Sequence, residues 1–144
     1  MAKRRCPAER SGMVARLIGF YLLALGSSGV LACEWSGSQR LNLAERFALH
    51  YRFEPTPPPV AEFISVDLRV CRNDEFRPFD TVRLVAVMPA HGHGMNYRPG
   101  VVVTSRIERR VDGLLLHMRG LWRFTVTFTE ATKTHVASFD LTVE

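Results

Sequence analysis

From residue 47 onward the hydrophobic positions repeat with a period of two. Phe47, Leu49, Tyr51 and Phe53 alternate with Ala48, His50 and Arg52, the pattern of a strand with one face buried. The stretch Glu54-Pro55-Thr56-Pro57-Pro58-Pro59 ends it, because proline cannot donate to a ladder. Ile64, Val66, Leu68 and Val70 then alternate with Ser65, Asp67 and Arg69, and Arg72-Asn73-Asp74-Glu75 reads as a turn. A further strand is predicted over Thr81 to Met88 and another over Val101 to Arg110, with Asp112-Gly113 as a turn after it. At the end of the chain Trp122, Phe124, Val126 and Phe128 face one way, and so do His135, Ala137, Phe139, Leu141 and Val143, with a turn over Glu130 to Lys133. No segment after residue 46 sustains a helical period. About seven short strands in roughly 110 residues predict an all-β fold, an immunoglobulin-like β-sandwich over residues 46–144. Residues 33–45 read as a tether.

The first 32 residues break this pattern. Lys3, Arg4, Arg5, Arg10 and Arg16 precede the apolar run Leu17 to Leu25, and small residues follow up to Ala32. A basic start, a short apolar core and a small-residue cut site make a secretory signal peptide over residues 1–32. The run is short for a membrane span, which wants roughly 20 apolar residues; an uncleaved N-terminal anchor is the alternative. Either route places the domain outside the cytoplasm. Val30-Leu31-Ala32-Cys33 resembles a bacterial lipobox, in which Cys33 is the lipidation site, although a small residue is usual where Leu31 stands. An ordinary cut after Ala32 is the other reading, and it leaves Cys33 able to pair with Cys71. The expected location is the periplasm or, through a lipid on Cys33, the cell envelope; membrane contact is expected only through the signal or that anchor.

This segment also carries the charge. The chain has 19 Lys+Arg against 14 Asp+Glu, a formal charge of +5. Residues 1–32 contribute five basic residues and one acidic residue, Glu9, or +4; the remainder holds 14 basic and 13 acidic residues, or +1. The basicity therefore belongs to the targeting segment, and nucleic acid is excluded as a partner. Arg109-Arg110, beside Glu108 and Asp112, reads as a solvated face, and Asp67, Asp74, Glu75, Asp80 and Asp112 read as solvated surface.

Candidate chemistry is concentrated in two stretches, Met88-Pro89-Ala90-His91-Gly92-His93-Gly94-Met95 and His117-Met118. The three methionines beyond residue 32, Met88, Met95 and Met118, all lie there, with three of the five histidines, His91, His93 and His117. Imidazole suits copper, zinc and nickel, while thioether selects Cu(I), so a mixed His/Met set points to copper, with Cu(I) ahead of Cu(II). His91 and His93 are two apart and share a side in an extended segment; Met95 continues the row, and Gly92 and Gly94 allow a tight fold. Strand parity puts Met118 on the core side with Leu114, Leu116 and Trp122, and turns His117 outward unless the chain kinks at Gly120. The expected metal ligands are His91, His93 and Met95, completed by His117 or Met118, with Met88 as a further candidate. The bland alternatives are a histidine-rich structural loop, and Met88 and Met118 as core filler.

Other chemistries find no support. Cys71 has no histidine or methionine near it, as a blue-copper site requires. No nucleophile elbow, phosphate loop or Cys-x-x-Cys occurs, and no nucleophile–base pair is visible, so the sequence predicts no enzyme. The order of motifs resembles the YtkA-like and FixH-like group of small exported bacterial domains. The matching residues are Met88, Pro89, His91, His93, Gly94 and Met95, then Asp112, Gly113, His117, Met118, Gly120 and Trp122, within a likeness that spans about residues 47–143. The resemblance implies an immunoglobulin-like sandwich associated with copper handling, metal efflux or haem–copper oxidase assembly. Arg119 departs from it, standing where the pattern has proline. The lack of a long membrane helix favours the YtkA-like side. The expected function is copper carriage or buffering, with a periplasmic or membrane protein as recipient; the alternative is a metal-free interaction module that contacts such a partner.

Overall fold

The computed structural model describes residues 33–44 and 46–144; the expected signal segment lies outside them. It contains ten strands: β1 (Gln39–Ala44), β2 (Phe47–Glu54), β3 (Phe63–Arg72), β4 (Glu75–Arg77), β5 (Val82–Met88), β6 (His93–Gly94), β7 (Gly100–Ser105), β8 (Glu108–Leu115), β9 (Gly120–Glu130) and β10 (Lys133–Val143). They form two antiparallel sheets, one ordered β1-β2-β3-β8-β7 with β4 on β3, the other β10-β9-β5-β6. The fold is an all-β sandwich. Alternation carries it: Val66, Leu68 and Val70 of one sheet and Leu84, Ala86, Trp122, Phe124, Val126 and Phe128 of the other are buried in one shared core. Among the described residues no helix is long and apolar enough to cross a membrane.

Four expectations are corrected. Residues 39–44, within the segment read as a tether, form β1 and pair with β2. The predicted strand Val101 to Arg110 is two strands joined at Arg106-Ile107, with Ser105 opposite Glu108; neither turn residue has a turn preference, so the sequence gives no signal there. Asp112-Gly113 is not a turn. Leu114 faces Ile64 and Asp112 faces Ser65, so Gly113 is the extra residue of a β-bulge, with φ +81°. The turn signal reports a need for positive φ, which a bulge shares with a hairpin.

The fourth correction concerns charge. Asp67 is 1% exposed on its side chain and pairs with Arg52 at 3.0 Å and Arg110 at 2.7 Å. All three lie in register across β2, β3 and β8. Burial alone would push the Asp67 carboxyl up; hydrogen bonds from Arg110 and Arg52 overcome that and hold it below the usual carboxylate range. Arg109 is buried, and its guanidinium donates to the carbonyls of Phe79, Ser105 and Glu108.

A strap explains why this outer face is covered. Cys33 and Cys71 form a disulfide. Trp35 then lies under the guanidinium groups of Arg52 and Arg69, 4.8 and 4.2 Å from its ring centre. Ser38 Oγ meets His50 Nδ1 at 3.4 Å, and Phe76 packs edge-on to the His50 ring. The Cys33 sulfur is thereby bonded to Cys71, the pairing that an ordinary cut after Ala32 leaves open.

Candidate metal centre

Three connections meet at one end of the sandwich. The first is the tight β5–β6 loop, where the amides of His91 and Gly92 both donate to the Met88 carbonyl, at 3.1 and 3.0 Å. Gly92 has φ +66°, a conformation that glycine adopts without strain. The second is the β8–β9 link, Leu116 to Arg119. The third is the proline-rich β2–β3 loop, whose Ala61 amide donates to the Leu116 carbonyl at 2.8 Å.

Register sets the directions. Met88 is opposite His93, and the Met95 amide donates to the Ala86 carbonyl at 3.3 Å. Residues opposite one another share a face, so His93 lies on the core side with Met88, and Met95 packs half-buried against the core. Met88 itself is buried, and a Cβ built on Gly120 would lie 3.1 Å from its methyl carbon.

Parity fails at the next two residues. β8 ends at Leu115, and Gly120 opens β9 with φ +122°. Trp122, fully buried, donates from Nε1 to the Met118 carbonyl at 2.9 Å. With the chain gripped at Leu116 and Met118, His117 turns inward and Met118 is 37% exposed, the reverse of the expected sides. His117 lies edge-on to Trp122 with ring centres 5.4 Å apart, and stacks on His93 at 5.3 Å. His91 follows, 5.7 Å from His93. The three expected histidines therefore form one row, with His93 in the middle.

Chemically, this row offers unspent nitrogen. Nδ1 of His117 is buried with no hydrogen-bond partner, a situation that costs a neutral polar group about 1–3 kcal/mol. In the tautomer with the proton on Nε2, Nδ1 carries an unused lone pair. Among the described residues neither His91 nor His93 makes a side-chain hydrogen bond, so no such bond is broken if either exposed ring turns. Two imidazoles on one ion at metal–nitrogen distances of about 2 Å hold their centres roughly 5–6 Å apart, which is the spacing of this row. The rings stand stacked and tilted, not aimed at a common point, and among the described residues no three His, Cys, Asp or Glu groups are arranged to hold an ion as they stand. Ligation therefore requires rotation of the two exposed rings. Alternation predicts that Trp122 is core; its second task, holding Met118 so that His117 faces inward, leaves no signal in the pattern beyond the spacing His-Met-x-Gly-x-Trp.

No family model matches the chain, and no curated protein matches it. Solved structures do. A DUF4426 family protein from Pseudomonas aeruginosa is similar at a TM-score of 0.55 and 12% identity, over 76% of this chain and 97% of that one. A copper-bound variant of FetP from uropathogenic Escherichia coli is similar at a TM-score of 0.50 and 10% identity, over 74% of this chain and 95% of that one. At these identities the likeness is one of fold: this chain shares the small β-sandwich of both proteins.

Proposed function

We propose that this chain is an exported protein that binds copper and carries or buffers it, with His91, His93 and His117 as the nitrogen donors and Met95 and Met118 as thioethers on either side. The observation that carries the reading is the imidazole row with the buried, unpartnered Nδ1 of His117. A copper-bound protein among the structures of similar fold supports it, as does the motif resemblance to YtkA-like and FixH-like domains. A disulfide is stable in oxidising compartments, which supports export; with Cys33 paired, the cut after Ala32 fits better than lipidation. The recipient is proposed to be a periplasmic or membrane metalloprotein, in oxidase assembly or efflux.

The test is titration of the disulfide-bonded protein with Cu(I) under a chromophoric competing chelator. The wild type is expected to take copper from the chelator, and His91→Ala/His93→Ala to lose that ability. Equal affinity of the two proteins overturns the reading. A metal-free interaction module is then favoured by one observation, the exposed aromatic pair Phe63 and Tyr97, 62% and 52% exposed with ring centres 5.3 Å apart near the same end.

A further inference from the structure

On the flank of the sandwich the two sheets do not close. β5 pairs with β9 along its length, but β6 covers only Val87 and Met88. The Thr129 amide donates to the Thr81 carbonyl, and the Met95 amide to the Ala86 carbonyl. By alternation, Arg83 and Val85 turn their backbone groups to β9, while Val82 and Leu84 turn theirs to the open side. Among the described residues no backbone partner meets them. Across from this edge stands β7, the last strand of the other sheet, with Val101 half exposed. Between the two lies a cleft of about 450 Å³ that reaches inward to Leu84 and is rimmed by Tyr97, Arg83 and Arg98.

We infer that this cleft receives an extended acidic segment of a partner protein, added as a strand along β5. Two features select that occupant. Unpaired strand N–H and C=O groups are satisfied in full by another backbone, which a small apolar ligand does not supply. The two arginines at the rim make no ion pair among the described residues, so the field at the mouth favours carboxylates. The chain's own first 32 residues carry five basic and one acidic side chain, the wrong sign for this site. The partner's apolar side chains alternate with its acidic ones, the former entering beside Tyr97 and Val101 and the latter meeting Arg83 and Arg98. The cleft adjoins the candidate metal centre through Met95, which lines its wall, but none of the groups proposed to hold the segment is an imidazole of the row.

The test is selection of random octapeptides displayed on phage against the immobilised, disulfide-bonded protein. The expected winners alternate apolar residues with Asp or Glu. As soluble peptides they bind wild type, and Arg83→Glu/Arg98→Glu weakens them about tenfold or more. Val82→Pro removes one open-edge donor without removing a β9 bond, and is expected to weaken them similarly while the far-UV spectrum stays unchanged. Selection of basic peptides, winners indifferent to both variants, or no enrichment over the Val82→Pro protein overturns the proposal. So does a dimer of the protein alone that Val82→Pro dissolves, which gives the edge to a second copy.

Discussion

Trp122→Phe separates the packing role of this side chain from its grip on the metal loop. The indole is fully buried, donates to the Met118 carbonyl at 2.9 Å and supports the edge of the His117 ring. Phenylalanine keeps an aromatic face but has no N–H. The lost hydrogen bond costs about 1 kcal/mol net. The smaller ring leaves a void of roughly 40 Å³, which at about 24 cal/mol per Å³ adds about 1 kcal/mol. Urea unfolding is therefore expected to show a loss of about 2 kcal/mol with an unchanged slope. The freed link lets His117 sample other rotamers, and re-ordering it on metal binding costs about 1 kcal/mol, or about fivefold in copper affinity. Val126→Ala is the control, since Val126 is equally buried but lies further along β9; it is expected to cost about 2 kcal/mol of stability and no copper affinity. If Trp122→Phe and Val126→Ala leave copper affinity equally unchanged, the anchoring argument is wrong. If Trp122→Phe leaves stability unchanged, the packing arithmetic is wrong as well.

Replacing Cys33 and Cys71 by serine removes a cross-link over 38 residues, which the chain-entropy argument values at about 4 kcal/mol; a loss below about 1 kcal/mol on chemical unfolding would mean that the denatured chain is already held together there. Gly120→Ala places a Cβ 3.1 Å from the Met88 methyl at φ +122° and is expected to destabilise by about 2–3 kcal/mol, whereas Gly113→Ala, with open space and φ +81°, meets only the backbone cost of about 1–2 kcal/mol; equal losses would refute the contact with Met88. Stability is expected to fall in two steps with acidity. Burial, then Arg40 and Arg69, hold the His50 imidazole below its ordinary 6.5, so the unfolded chain takes up a proton first and stability falls as pH drops below about 6.5; His50→Gln removes that step. Asp67, held low by Arg110 and Arg52, contributes stability that is present above the ordinary carboxylate range and lost as pH falls through its depressed folded value; Asp67→Asn removes this second step. Unfolding free energies measured across pH check both, and an unchanged profile in either variant refutes its assignment.

The strands were legible where a side chain's direction follows from its neighbours along one strand. Phe124, Val126 and Phe128, or Ala137, Phe139 and Val143, face the core because the alternation continues on both sides of them. The outer face was less legible. Asp67 is a polar position in correct alternation, yet it is buried, covered by Arg52 and Arg110 from the strands on either side and by the strap that lays Trp35 against Arg52. Near Asp67 in sequence only Cys71, as a candidate partner of Cys33, hints at the strap, and nothing there marks the arginines of the neighbouring strands as its partners. Gly113 shows a related limit: a hairpin turn and a bulge both use glycine at positive φ, so Asp112-Gly113 reads as a turn in the sequence, and only the pairing of β3 with β8 makes it a bulge.

The candidate centre combines both cases. Donor types were plain in the sequence, because three histidines and three methionines crowd into ten positions, and the row His91, His93, Met95 follows from their spacing. The order of His117 and Met118 was not plain, since parity ends with the strand that carries it. β8 stops at Leu115, and what turns the next residues are bonds from distant elements, from Ala61 to Leu116 and from Trp122 to Met118. These bonds place an imidazole on the inner side and a thioether on the outer side. A donor set read from composition names the ligands a site can use; the backbone acceptors around it decide which of them the ion meets first.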